Sequence, residues 1–304
     1  MTQIWRINIK TEPEEGIDPR KFCIDKSILG IGWAVEVDVK NSDWDTYYKL
    51  AEEAYYNRSK DKGWWPAINA IKNRMQVNDL CWTRDKDGIY YLGRIKSDWR
   101  YEGSRDNRAA EVVNIRDCDW NKVGTVDAVP GKVVSSFIPR RTVQAVYDET
   151  VKIHSEFRYN SFSDKFKYPI PALSPDLFSL ISAEDCEDVV GLYLQERVYR
   201  IIPSSCKSDT LKYEFVMKHT QSKKNAVVQV KTGGEVLHID EFKAIGYEVY
   251  LFATSGKYVG NQINNIHCIT PETIKDFIKK NVNLLPEKIQ IWLDMCRKMG
   301  ENIS

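Results

Sequence analysis

The sequence predicts two domains, an N-terminal α+β domain made mostly of short strands and a C-terminal α/β domain. Its length of 304 residues is enough for two folding units. Eight of the nine tryptophans fall in the first 120 residues, which is a composition step of the kind that separates domains. In the second half, by contrast, helical and strand patterns follow one another along the chain.

The composition is that of a globular protein, with 42% hydrophobic and 29% charged residues. The chain contains no apolar run near the ~18 residues that a membrane span needs. The first eight residues also lack the pattern of an export signal. We therefore expect a cytoplasmic protein with no membrane partner.

Cysteine and histidine usage argues against two kinds of site. The seven cysteines are an odd number without a C-x-x-C pair, and the four histidines lie far apart. This spacing disfavours a disulfide framework and a zinc site. The net charge of +1 gives no global basic field, although a protein that recognises one particular site on a nucleic acid can keep its positive charge local.

The sequence of the N-terminal half predicts strands with helical insertions. Ile89–Ile95 pairs with the preceding apolar run across an Asp-Gly reversal, which supplies the positive φ of a tight hairpin. The other expected elements are a strand at Gly30–Val35, helices at Tyr47–Tyr56, Ala67–Met75 and Thr142–Glu156, and a strand pair at Ala110–Arg116 and Gly131–Phe137. The prolines that follow predict an irregular linker over 157–176, which divides the chain into domains 1–156 and 177–304.

Residues 1–140 resemble the PUA-like superfamily that includes the EVE and YTH domains. The run Met75–Trp82 and the later Tyr91–Ile95 match its "helix, M-x-x-G-D-x-V, strand, strand with G-R-I/V" core, with Asn78 where the family usually has glycine. The resemblance implies a PUA-like β-barrel that holds a modified or flipped base in an aromatic cage. It therefore implies DNA, base-modified, as the partner.

Three tryptophans are candidate cage walls and substrate-binding residues, namely Trp33, Trp64 and Trp65. An aromatic wall returns ~1–3 kcal/mol to a base that has left its stack. The alternative is that each is a core residue, because tryptophans are most often buried for their large apolar area. Trp82, inside a predicted strand, is expected in the core.

The C-terminal half begins with a helix capped by Ser182, because the acidic residues after it suit the positive end of a helix. We expect the order helix, three strands, helix, strand, helix. The expected strands are Val198–Ile202, Leu211–Met217, Ala226–Lys231 and Glu248–Ala253, and the closing helices are Pro271–Lys280 and Pro286–Met299.

This order, with Gln229-x-Lys231 on the third strand, resembles the PD-(D/E)xK nucleases over residues 177–304, in the branch that carries Gln-x-Lys. The resemblance implies a central mixed sheet and a metal-dependent nuclease site. Glu214 stands at the position that the family usually fills with aspartate, and Glu187 matches its helical glutamate. Asp209 is the reserve acidic ligand.

The residue types suit phosphodiester hydrolysis. Residues at i and i+2 of a strand face the same side, so Gln229 and Lys231 point into one site. Mg²⁺ (or Mn²⁺) prefers oxygen ligands, which Glu214, Gln229 or Asp209 would provide. The lysine positions water or offsets developing negative charge.

Several interpretations of the strand pattern and of the function remain open. Alternating V-Q-V-K is also typical of an amphipathic edge strand with a solvated face. The leading hypothesis is an Mg²⁺-dependent restriction-type endonuclease of phage defence that recognises modified bases. The alternatives are an inactive reader of modified DNA or RNA, and a nuclease acting on RNA. Cleavage of both strands needs two active sites, so we expect a homodimer.

Overall fold

The computed structural model describes residues 2–36, 43–170, 175–207 and 212–301. The chain divides into two compact units between residues 173 and 174. Unit 1 comprises the described residues up to 170, and unit 2 comprises those from 175 onward. Among the helices of these residues, none combines the length and the apolar character that crossing a bilayer demands.

Unit 1 is a mixture of strands and short helices. Its strands are β1 (Ile4–Ile7), β2 (Ile28–Ile31), β3 (Leu80–Arg84), β4 (Tyr90–Ile95), β5 (Arg100–Tyr101), β6 (Asn114–Gly124) and β7 (Val143–Val146). Its helices are α1 (Pro19–Asp25), α2 (Trp44–Ala51), α3 (Trp64–Asn69), α4 (Arg105–Ala109), α5 (Gly131–Ser136) and α6 (Glu149–Phe162). Helices α2 and α3 continue as π-helical turns over Glu52–Arg58 and Ala70–Arg74, and a 3-10 turn covers Val126–Ala128.

The strands of unit 1 form one curled mixed sheet, a half-barrel, in the order β2-β6-β4-β3-β1-β7, with β5 also paired to β6. β1 runs parallel to β3, and the other ladders are antiparallel. Among the described strands no ladder joins β2 to β7. The sheet therefore has two open ends, which a closed barrel would not have.

The hairpin predicted from the Asp-Gly pair is confirmed. β3 and β4 pair antiparallel, with Leu80 opposite Arg94. Gly88 has φ +79° in the reversal, and the Asp85 side chain accepts a hydrogen bond from the Ile89 N–H at 2.8 Å. The turn thus supplies both the positive φ and the capped backbone that a tight reversal requires.

Two expectations for unit 1 are wrong. Gly131–Phe137, predicted as a strand, contains α5, because Val133 and Phe137 are four residues apart and bury the same helical face. The helix predicted over Thr142–Glu156 begins only at Glu149, after strand β7. It then runs on to Phe162, with Asp148 as its N-cap, so residues 157–162, which were expected to be irregular, are helical.

Two apolar clusters lie among the described residues of unit 1. One contains Trp5, Tyr47 and Trp64, and the other contains Trp82 and Tyr159. The Trp82 side chain is fully buried, as expected, and its Nε1 donates to Ser155 Oγ at 3.0 Å.

Unit 2 contains strands β8 (Tyr199–Ile201), β9 (Phe215–His219), β10 (Asn225–Lys231), β11 (Leu237–His238), β12 (Glu248–Ala253), β13 (Tyr258–Val259) and β14 (Ile266–Ile269). Its helices are α7 (Leu177–Leu180), α8 (Ala183–Glu196), α9 (Pro271–Lys280) and α10 (Glu287–Glu301). Short 3-10 turns cover Pro203–Lys207, Ile239–Phe242 and Val282–Leu284.

The main sheet of unit 2 has the order β14-β12-β10-β9-β8. β10, β12 and β14 are parallel, whereas β9 is antiparallel to both β8 and β10. The sheet is therefore mixed. β11 and β13 form a separate parallel pair.

Most elements expected in unit 2 are present, but α7, β11 and β13 were not expected, and three further differences follow. α8 begins after Ser182, whose side chain forms a capping box with Asp185. The second strand begins at Phe215, later than expected. Between β10 and β12 the described chain has a 3-10 turn in place of the expected helix, and its Phe242 packs in the apolar cluster on one sheet face. Strand β14 was not anticipated.

Candidate functional site

β10 is the central strand of the unit 2 sheet, with β9 on one side and β12 on the other. Its three valines are buried, which fixes the strand between its neighbours. Because strand side chains alternate, Gln229 and Lys231 share one face. Gln229 is only 5% exposed, whereas Lys231, the last residue of the strand, is exposed. The strand thus carries a buried carboxamide and an accessible ammonium on the same side.

Glu214 lies directly before β9 and opposite Gln229. Its N–H donates to the Val228 carbonyl at 2.8 Å, which continues the β9–β10 ladder by one residue. The Gln229 Nε2 donates to Glu214 Oε1 and, at 3.0 Å, to the Val230 carbonyl. The two side chains expected at the centre of the site are therefore in direct contact.

Glu187, on α8, lies close enough to Glu214 for the two carboxylates to interact electrostatically. Burial and then the negative charge of Glu214 raise the pKa of the half-buried Glu187 carboxyl to about 7, with further contributions from Glu184 and Asp188. The positive charge of Lys231 acts in the opposite direction. A helix acid, a strand acid and the strand lysine therefore converge electrostatically.

The converging groups are two carboxylates, one carboxamide and one ammonium. Across residues 2–36, 43–170, 175–207 and 212–301, no three His, Cys, Asp or Glu side chains gather closely enough to hold a metal. Asp209, the reserve ligand, lies outside the described residues. Gln229 uses both Nε2 hydrogens on its two acceptors, so its Oε1 is the lone-pair atom left for a ligand. Carboxylate and carboxamide oxygens are the donors that Mg²⁺ takes.

In unit 1, Trp33 lines a cavity of about 310 Å³ together with Tyr55, Asp61 and Glu111. The Trp33 Nε1 donates to Asp61 Oδ2 at 2.8 Å, which fixes the plane of the indole. Trp33 and Glu111 have φ values of +64° and +51°. Such conformations are costly for residues with side chains and often mark ligand sites.

The other two candidate tryptophans do not line this cavity. Trp64 is 1% exposed and belongs to the apolar core, so its ring face is covered. Trp65 is 39% exposed, and its ring centroid lies 5.8 Å from that of Trp64 and 5.6 Å from that of Tyr48. Of the three, only Trp33 stands in the wall of the described cavity.

Sequence patterns did not identify Tyr55, Asp61 and Glu111 as neighbours of Trp33. They come from separate segments, and no spacing rule connects a π-helical turn, a loop and the turn before β6. The Gly-Ile-Gly-Trp run was the only available signal for this cavity, and it singled out Trp33 alone.

Comparison with known proteins gives two matches. A family model described as a domain of unknown function (DUF8426) matches residues 5–146, which run from β1 to the last residue of β7. No curated protein matches the chain. A solved structure of the DNA modification-dependent restriction endonuclease AspBHI is similar at 11% identity and a TM-score of 0.24, over 90% of this chain and 81% of that chain. The family match covers the unit 1 sheet and none of the unit 2 site residues.

Proposed function

We propose that this protein is a metal-dependent endonuclease of restriction type, with a PD-(D/E)xK-like active site in unit 2 and a PUA-like base-recognition module in unit 1. The observation that carries the proposal is the contact between Glu214 and Gln229, with Glu187 and Lys231 within electrostatic reach. A carboxyl whose pKa is raised by burial and by a second carboxylate, beside an exposed lysine, is typical of functional sites.

Each residue has a distinct role in this proposal. Glu187, Glu214 and the Oε1 of Gln229 would hold Mg²⁺, which, when bound, supplies Lewis-acid activation of the phosphodiester and of water. Lys231 orients the attacking water and offsets the negative charge that develops on the phosphate oxygens. Because Gln229 is neutral, the negative charge of the ligand set comes only from the carboxylates of Glu187 and Glu214.

Unit 1 would select the substrate. The Trp33 ring, held by Asp61, offers a flat apolar wall in a cavity whose volume of about 310 Å³ lies at the small-ligand end of binding sites. A displaced base would regain by stacking there part of the energy lost on leaving the duplex. The proposed partner is base-modified DNA, cut on both strands by a homodimer.

One observation favours a second function. The described residues hold no group of three metal-binding acid, histidine or cysteine side chains, and position 229 carries an amide in place of a carboxylate. A site with fewer negative charges binds Mg²⁺ less strongly. This favours an inactive reader of modified DNA or RNA.

Cleavage assays separate the two functions. The full chain is incubated with plain, methylated, hydroxymethylated and glucosylated DNA, and with RNA of the same sequence, in Mg²⁺ or in EDTA. We expect Mg²⁺-dependent cleavage of a modified DNA and loss of at least about a hundredfold in rate in Lys231→Ala, because one charge-stabilising group contributes on this scale. Lys257→Ala, another exposed lysine of unit 2, is the control.

Two results would contradict the proposal, one for its active site and one for its activity. Cleavage at the wild-type rate by Lys231→Ala would remove the proposed site. Selective binding of a modified substrate without cleavage under any condition would establish the reader.

A further inference from the structure

A second cavity in unit 1, of about 620 Å³, lies between α3 with its π-helical continuation and strand β7. Its charged lining residues are all basic, namely Lys62, Arg74, Arg140 and Arg141, and all four are exposed. We call this cavity the basic cleft. Because the whole chain has a net charge of only +1, four cations around one cavity are a local concentration of positive charge.

The basic residues of the cleft are not neutralised by nearby acids. In the described part of the chain, no carboxylate lies within ion-pair distance of any of the four. The Arg74 guanidinium lies over the Trp5 ring, 5.2 Å from its centroid, and donates to Tyr147 Oη at 3.0 Å. A guanidinium held in place by neutral partners keeps its charge for an anion.

The basic cleft adjoins the Trp33 cavity. Thr142 lines both cavities. Gly63, in the wall of the cleft, donates its N–H to Asp61 Oδ1 at 2.8 Å, and the other oxygen of the same carboxylate accepts from Trp33 Nε1. One turn of chain therefore separates the two cavities and belongs to both walls.

The two cavities have opposite charge. Three carboxylates, those of Glu12, Asp61 and Glu111, line the Trp33 cavity, against the single cation Lys10. A phosphate is repelled there and attracted to the basic cleft, whereas an uncharged base fits beside the indole ring. The charges thus favour one orientation of a bound nucleotide, with its base in the Trp33 cavity and its phosphate in the basic cleft.

We propose that unit 1 holds one unpaired or displaced nucleotide of a nucleic acid strand, with its base in the Trp33 cavity and its flanking phosphates in the basic cleft. The inference rests on the proposed function in taking nucleic acid as the ligand and the Trp33 cavity as the site of the base, and it adds the basic cleft as the site of the phosphates. The phosphate-binding residues are the four cations of the cleft, namely Lys62, Arg74 and, just before β7, Arg140 and Arg141.

The salt dependence of binding tests the phosphate half of the proposal. Anisotropy of a fluorescein-labelled single-stranded DNA oligonucleotide is measured with the full chain in EDTA, from about 50 to about 200 mM salt. We expect Arg140→Ala/Arg141→Ala to bind about tenfold more weakly at the lowest salt. The slope of log affinity against log salt becomes shallower by about 1.4, since each lost phosphate contact removes about 0.7.

The matched control is Lys21→Ala/Lys86→Ala, which removes the same charge from exposed lysines of unit 1 that are paired with Asp25 and Asp18. Equal affinity and equal slope in the two double variants would overturn the proposal. Thermal melting verifies the fold. If the double arginine variant melts early, Lys62→Gln replaces it, with an expected change in slope of about 0.7.

Trp33→Ala tests the base half in the same assay. We expect weaker binding with an unchanged salt slope, because stacking releases no counterions. A slope that changes as much as in the arginine variant would contradict the division between base and phosphate. The assay contains no Mg²⁺ and measures no cleavage, so an inactive nuclease site would leave its outcome unaffected.

Discussion

Gln229 is the residue that most distinguishes the unit 2 site from one built only on carboxylates. Its Nε2 is committed to Glu214 and to the Val230 carbonyl, so it orients the carboxylate across the ladder as well as offering an oxygen. That contact ties the Glu214 side chain, one residue outside β9, to the central strand of the sheet. The amide therefore positions the acid.

Glu214→Gln should weaken Mg²⁺ binding by at least about tenfold, because it removes one of the two carboxylates while keeping the shape of the side chain. Isothermal titration calorimetry measures the affinity, with Glu235→Gln, an exposed glutamate of the same unit, as the control. An unchanged affinity would transfer the role of principal ligand to Asp209.

Trp33 and Trp64 should respond differently to the same substitution. Trp64→Ala empties a fully buried site and should cost ~3–5 kcal/mol of unfolding free energy. Trp33→Ala, at a partly exposed cavity wall, should cost less stability and ~1–3 kcal/mol of binding to the preferred substrate. Urea unfolding and anisotropy on both variants measure the two quantities. A Trp33 variant as unstable as the Trp64 variant would make Trp33 a core residue.

At the scale of elements, β4 and β6 are held close by a glycine. A Cβ at Gly93 would collide with Cys118 Sγ and with the Trp120 ring, both on the facing strand. The glycine of the Gly-Arg-Ile run, which carried part of the PUA-like resemblance, is therefore required by packing in this sheet.

Gly93→Ala should lower the unfolding free energy by ~1–3 kcal/mol, the usual cost of overpacking a fitted interior. Chemical denaturation followed by tryptophan fluorescence provides the measurement. Gly234→Ala is the control, since a Cβ there meets no atom within 4 Å. Equal unfolding free energies of the two variants would show that β6 can move to accommodate the added Cβ without loss of stability.

α6 carries a buried histidine that makes the stability of unit 1 depend on pH. Burial and the nearby Arg158 lower the pKa of His154 from 6.5 to about 3. In the unfolded chain the imidazole titrates near 6.5, so between the two values the unfolded state binds more protons. The contribution of His154 to stability is therefore complete above about 6.5 and is lost as the pH falls toward 3.

Between about pH 7 and about pH 5, this histidine should account for about 2 kcal/mol of lost unfolding free energy. Urea unfolding at both pH values measures the loss. His154→Gln, which cannot titrate, should have a lower stability at neutral pH and a smaller loss on acidification. A loss as large as that of the wild type would attribute the acid sensitivity to other groups.

Elements with strong local signals could be predicted, and those determined by tertiary packing could not. The capped helix α8 and the β3–β4 hairpin carry their own start and turn residues. By contrast, Gly131–Phe137 contains enough valine for a strand, and only the burial of Val133 with Phe137 makes it helical. The local sequence pattern carries no information about that packing.

At the scale of the whole molecule, the same division applies within each unit's candidate site. Gln229 and Lys231 could be paired from their spacing alone, because a strand repeats every two residues. The proximity of Glu187 depends on how α8 lies on the sheet, and the neighbours of Trp33 depend on loops that converge only after folding. The two-residue repeat of a strand therefore predicted that Gln229 and Lys231 lie together. It could not predict which residues of other elements lie near them or near Trp33.

The position of β1 in its sheet has a consequence for the order of synthesis. The first strand of the chain lies between β3 and β7, whose partner residues follow it by about 76 and about 140 positions. During translation β1 must wait, with its apolar residues exposed, until Val146 has left the ribosome. Completion of the unit 1 sheet therefore depends on contacts between residues that are distant in sequence, and such contacts form slowly.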